Sequence, residues 1–69
     1  MKVSARNLIA GTVKAVTIGM VAAEVVVEVA PGVEMVSVIT KTSVEAMGLK
    51  EGSQVKVMVK ATSVMLVTD

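Results

Sequence analysis

Along most of this chain apolar and polar residues alternate with a period of two, and valine fills most of the apolar positions. That period places successive side chains on opposite faces of an extended strand, and β-branched residues suit such a pleated surface. In Glu24-Val25-Val26-Val27-Glu28-Val29 it puts Val25, Val27 and Val29 on one face and Glu24, Val26 and Glu28 on the other. Gln54-Val55-Lys56-Val57-Met58-Val59-Lys60 alternates more regularly still. Both segments read as half-buried strands.

The punctuation between strands gives their order. Ala30-Pro31-Gly32 reads as a turn, because proline fixes φ and glycine is free to take φ > 0, and a strand follows over residues 33–39. Thr17-Ile18-Gly19-Met20 reads as a tight connection between a strand over 11–16 and the strand beginning at Glu24. These three strands form a meander. One helical signal interrupts the pattern: in Thr42-Ser43-Val44-Glu45-Ala46-Met47-Gly48, Thr42 and Glu45 have capping-box spacing and Gly48 suits the position just past a helix end. Leu49-Lys50-Glu51-Gly52 then turns into the Gln54 strand, and a last strand is expected over 63–67. The pattern therefore predicts an all-β fold, a small five-stranded OB-like barrel with one short helix between strands 3 and 4. No linker, low-complexity tract or internal repeat divides residues 1–69, which form one domain.

Composition adds a reason to expect partners. A core built from 69 residues is marginal alone, and the chain has neither cysteines for disulfides nor histidines for a metal site. With 54% hydrophobic residues and a mean hydropathy of +0.79, it carries more apolar surface than one such core hides. Self-association is the stabiliser left over. A membrane span is not expected, since the uncharged run between Lys14 and Glu24 falls far short of the roughly 20 residues required. The opening Met1-Lys2-Val3-Ser4-Ala5-Arg6 has no apolar signal region, so the expected location is cytoplasmic.

The chemistry available is limited. Without His, Cys, Trp, Tyr or Phe, the chain lacks the usual general base, most nucleophiles and every aromatic stacking platform, and it reads as a binding protein rather than an enzyme. A net charge of +1 offers no electrostatic groove for nucleic acid. Glu24 and Glu28 share a strand face, but alternating glutamates are ordinarily a solvated face. The six methionines read as core and interface filler. More suggestive are the hydroxyls Ser4, Thr40, Thr42, Ser43, Thr62 and Ser63, which fall at strand ends and the helix start beside Arg6, Lys41 and Lys60. Hydroxyls and loop amides with one or two fixed cations suit a small dianion. The commoner role of Ser and Thr at such places is capping and turn chemistry, and both readings stand at this point.

Ser4-Ala5-Arg6-Asn7, Gly11-Thr12-Val13, Ala23-Glu24-Val25, the stretch from Thr40 to Gly48-Leu49, Glu51-Gly52 and Lys60-Ala61-Thr62-Ser63-Val64-Met65 together resemble the molbindin (Mop) family over nearly the whole chain. The opening and closing motifs are specific in combination and weak singly. The resemblance implies an OB-like domain binding molybdate, with tungstate as a further ligand, in intracellular molybdenum storage or homeostasis. It also implies a homohexamer, built as a trimer of dimers, with small oxyanions held between subunits. By matching position, the binding set it implies is Ser4, Arg6, Thr40, Ser43, Lys60, Ala61 and Thr62, with Ala61 offering only its backbone N–H. The oxyanion would be held by hydrogen bonds, with no metal coordinated by the protein.

Two stretches depart from the family pattern. Leu8-Ile9-Ala10 stands where relatives often carry polar residues, and Thr17-Ile18-Gly19 stands where lysines are common. A less basic hairpin attracts anions less during encounter. An alternative reading is a protein-interaction or regulatory module of the same shape whose anion site is vestigial.

Overall fold

Valines from the strands over residues 7–18, 22–30 and 54–59 meet on one side of a single sheet, and that side is the core. The computed structural model describes residues 1–69. Strands β1 (Asn7–Ile18), β2 (Ala22–Ala30) and β3 (Val33–Thr40) form an antiparallel meander. Helix α1 (Lys41–Met47), strand β4 (Gln54–Val59) and a 3-10 turn (Ala61–Ser63) follow. The order across the sheet is β3-β2-β1-β4.

β1 holds the sheet together because its two halves pair with different partners. Residues from Asn7 to Thr12 pair with β4, and those from Thr12 to Ile18 pair with β2. A bulge between Val13 and Ala15 interrupts the β1–β2 ladder just beyond the end of the β1–β4 ladder at Thr12. Such a bulge adds one residue and sharpens the local twist, so the strand coils from one partner to the other. The strand is longer at both ends than the stretch 11–16 expected from alternation. Leu8-Ile9-Ala10 does not alternate, and all three residues are exposed in this chain.

Val13, Ala23, Val25, Val27 and Val44 make up the buried core, with Val16, Val29, Ile39, Leu49, Val55 and Val57 packed around them. Val44 brings α1 against the inner face. The helix is shorter than the length at which an isolated helix persists, so tertiary packing and its two caps must hold it. Its N-cap is Thr40, extended at φ −71° and ψ 151°, whose side chain accepts from the Ser43 amide. The cap is therefore two residues earlier than the Thr42–Glu45 spacing implies: Thr40 keeps strand geometry to the end of β3, and the helix begins at once. Gly48 closes the other end at φ 62°, as its position implied.

The strand expected over 63–67 is not part of this sheet. After β4 the chain enters the 3-10 turn, in which Ser63 N donates to Lys60 O and Val64 N to Ala61 O, and residues 64–69 then run on outside any ladder. The sheet is consequently four-stranded and open. Its exposed surface reflects this: the chain exposes 5653 Å², whereas a self-contained folded monomer of its mass exposes about 4100 Å².

Candidate functional site

The β1–β4 ladder ends at the pair Asn7–Val59. Arg6 precedes Asn7 and Lys60 follows Val59, so the two cations flank the last rung of an antiparallel pair. Asn7 Nδ2 donates to Val59 O at 3.2 Å and ties the rung together. The Ser4-Ala5-Arg6 segment and the 3-10 turn then form the walls of an open groove of about 700 Å³. Its lining is Val3, Ser4, Ala5, Arg6, Met58, Lys60, Ala61 and Thr62. Two cations and two hydroxyls face it, and no carboxylate does.

Local structure explains why these groups are available. The chain's ion pairs both belong to Lys14, so Arg6 and Lys60 have no acidic partner. Like charges opposed across a ladder repel, and a dianion between them would relieve that repulsion. The 3-10 turn uses the amides of Ser63 and Val64, while Ala61 and Thr62 stand at its start, where N–H groups lack intrahelical acceptors.

Of the seven residues singled out in the sequence, five come together here: Ser4, Arg6, Lys60, Ala61 and Thr62. Thr40 and Ser43 do not. Thr40 pairs with Ala22 beside the β1–β2 hairpin, whereas the groove lies at the opposite end of β1. There Thr40 Oγ1 accepts from Ser43 N at 3.0 Å and donates to Ser43 Oγ at 2.8 Å. Within one chain these hydroxyls serve the helix cap. The sequence reading did not include Val3, Ala5 and Met58 in the groove wall, nor the Asn7 bond that anchors it. A nonpolar side chain carries no chemical signal of its own, but the placement of Asn7 between Arg6 and a strand was legible.

Away from the groove, Lys14 at the β1 bulge reaches Glu34 Oε2 at 2.6 Å and Glu28 Oε2 at 3.9 Å. The hydrogen bond to Glu34 raises the Lys14 pKa above the ordinary lysine value of 10.5, and the charges of Glu34 and Glu28 add to the effect. Glu28 thus stabilises a surface cation, and Glu24 is exposed. No helix is long and apolar enough to cross a membrane.

An open, cationic, hydroxyl-lined groove on an OB-like sheet defines a small binding domain. The TOBE domain family's model matches residues 3–66. Over 66 residues the chain is 46% identical to "Molybdenum-pterin-binding protein 3" of Clostridium pasteurianum, covering 96% of this chain and 97% of that one. The structure of a molybdate-binding protein from Sporomusa ovata superposes with a TM-score of 0.92 at 38% identity, covering 99% of this chain and 100% of that one. The cytoplasmic molybdate-binding protein ModG, solved with molybdate bound, superposes with a TM-score of 0.84 at 41% identity, covering 88% of this chain and 43% of that one. The chain belongs to the TOBE domain family and, within it, to the molbindin (Mop) group that its motifs resemble. These are binding proteins, not enzymes.

Proposed function

We propose that this chain binds molybdate, and tungstate of the same shape and charge, as a cytoplasmic store that buffers intracellular molybdenum. The observation that carries this reading is the convergence of Arg6 and Lys60, without any carboxylate, on a groove that also presents Ser4, Thr62 and the Ala61 amide. Arg6 and Lys60 would supply the charge. The hydroxyls and amides would read the tetrahedral arrangement of oxygens, each bond strengthened because its acceptor is ionised. No bond of the ligand is made or broken. The names of the relatives, which bind molybdate or molybdenum-pterin, support the same ligand.

The groove of one chain is open on one side, and an anion held there alone stays hydrated. Sites between subunits of a homohexamer, arranged as a trimer of dimers, answer that need: a neighbouring copy excludes water and adds donors. Thr40 and Ser43 of such a neighbour complete the proposed set, because they lie too far along the sheet to serve their own groove. Equilibrium dialysis at micromolar molybdate tests the reading. Uptake by the folded protein is expected, and none at all would refute it.

One observation favours a second reading, a protein-interaction module with a vestigial anion site. The exposed apolar side chains include Ile18, Met20 and Val21 at the β1–β2 hairpin, where another protein could dock. That reading fails if the assembled protein leaves no apolar patch open to a hydrophobic dye.

A further inference from the structure

One polar residue stands in an otherwise apolar row. Successive side chains of β1 alternate between faces, so Asn7, Ile9, Gly11 and the buried Val13 share the inner side. Opposite the first three on β4 stand Val59, Val57 and Val55, of which the last two pack against the core. A β-branched residue at position 7 would match Val59 across the ladder better than asparagine, which strands disfavour. A local rule broken inside a regular element is expected where the residue serves a function.

The Asn7 side chain has one partner. Its Nδ2 donates to Val59 O at 3.2 Å, joining residues 52 positions apart in the chain. That carbonyl and the Lys60 N–H belong to one planar peptide, the one by which β4 leaves the ladder. Strand ends fray where their ladder stops. The two backbone bonds of the 3-10 turn, from Ser63 N to Lys60 O and from Val64 N to Ala61 O, lie beyond this peptide and do not hold it. The Asn7 amide adds a hold at this last rung. Asn7 itself does not line the cationic groove, although Arg6 before it and the Lys60, Ala61 and Thr62 that follow the held carbonyl all do.

We infer that Asn7 is a positioning residue of the cationic groove. It touches no ligand and sets anion affinity by holding the Val59–Lys60 peptide, from which the Lys60 side chain and the Ala61 and Thr62 amides take their directions. Arg6 is tied to the same rung from the other strand, since its carbonyl belongs to the peptide that ends at the Asn7 nitrogen. Donors already in place lose less freedom on binding than mobile ones, so a loosened rung weakens binding while every charge and hydroxyl remains. The inference rests on the molybdate reading of this groove.

Asn7→Val separates this role from a purely structural one, because valine suits the apolar row and removes the amide. Urea melts at equal protein concentration are expected to show the variant no less stable than the parent. Calorimetric titration with molybdate is expected to show an affinity lower by roughly 2- to 10-fold, the worth of one neutral hydrogen bond. Asn7→Gln, which keeps an amide donor, is expected to recover part of that loss. Parent-like affinity in Asn7→Val would overturn the inference, and so would equal losses in Asn7→Val and Asn7→Gln. Backbone order parameters measured without anion give a second readout. Those of Lys60, Ala61 and Thr62 are expected to fall in Asn7→Val while those of Val25 and Val27 stay unchanged, and values identical to the parent's would contradict the inference. Should Asn7→Val fail to fold, Asn7→Ala takes its place in both measurements. A folded parent that takes up no molybdate would refute the molybdate reading, and the order parameters would still decide whether Asn7 holds the wall.

Discussion

Gly11 packs so closely against Val27 that a β-carbon on it would stand 2.6 Å from Val27 Cγ1 and 2.8 Å from the Glu28 carbonyl oxygen. The contact lies where β1 passes from β4 to β2, and it allows the strand to coil inward over the core. Alanine in place of glycine ordinarily stabilises a strand interior by roughly 0.5–1 kcal/mol. Here the clash is partly with backbone, which cannot rotate away. Overpacking of this kind costs about 1–3 kcal/mol, so Gly11→Ala is expected to be net destabilising. Denaturant midpoints at equal protein concentration check the sign, because an oligomer's apparent stability depends on concentration.

The helix cap gives a second test. Thr40→Ala removes the acceptor of the Ser43 amide and is expected to cost about 1 kcal/mol, while Thr40→Ser retains most of it. Thr42→Ala, at the residue the capping-box spacing favoured, is expected to fall within about 0.5 kcal/mol of the parent. Equal losses at the two positions in urea melts would contradict the assignment.

These cases show what the sequence makes legible. Period-two valines located β2 and β4, Pro31-Gly32 located the turn that leads into β3, and Gly48 located a helix end, because each signal is local. The limits of β1 were not legible, since its pattern is interrupted by a bulge and by a change of pairing partner. Competition between two threonines for one cap depends on where β3 stops. Residues 63–67 have a strand's composition, yet no ladder of this sheet takes them up, and composition alone does not say whether a neighbouring strand is available. For the candidate site, the five residues of the two end motifs were legible together because both motifs flank the same rung. Thr40 and Ser43 belong to the far end of the sheet, which no motif spacing reveals.

The Lys14 bridge predicts a pH dependence of definite sign. Its pKa is raised in the folded state, so the bridge's contribution is fully present below 10.5 and is lost as the pH rises through the higher folded value. The stability difference between the parent and Lys14→Gln should be constant from neutral pH to near 10.5 and shrink above it. Being exposed, the bridge should also weaken with added salt. A difference that grows at alkaline pH would show that Lys14 acts through something other than its charge.

Arg6 and Lys60 frame the proposed site for a tetrahedral dianion. Calorimetric titration of the folded protein with molybdate, repeated with sulfate and with Arg6→Ala and Lys60→Ala, addresses it directly. Tight molybdate binding, weaker sulfate binding and a loss of roughly 10- to 100-fold in each variant are expected, the worth of one hydrogen bond to a charged group. Titrations without heat from an intact, folded protein, or variants that bind molybdate as the parent does, would contradict it.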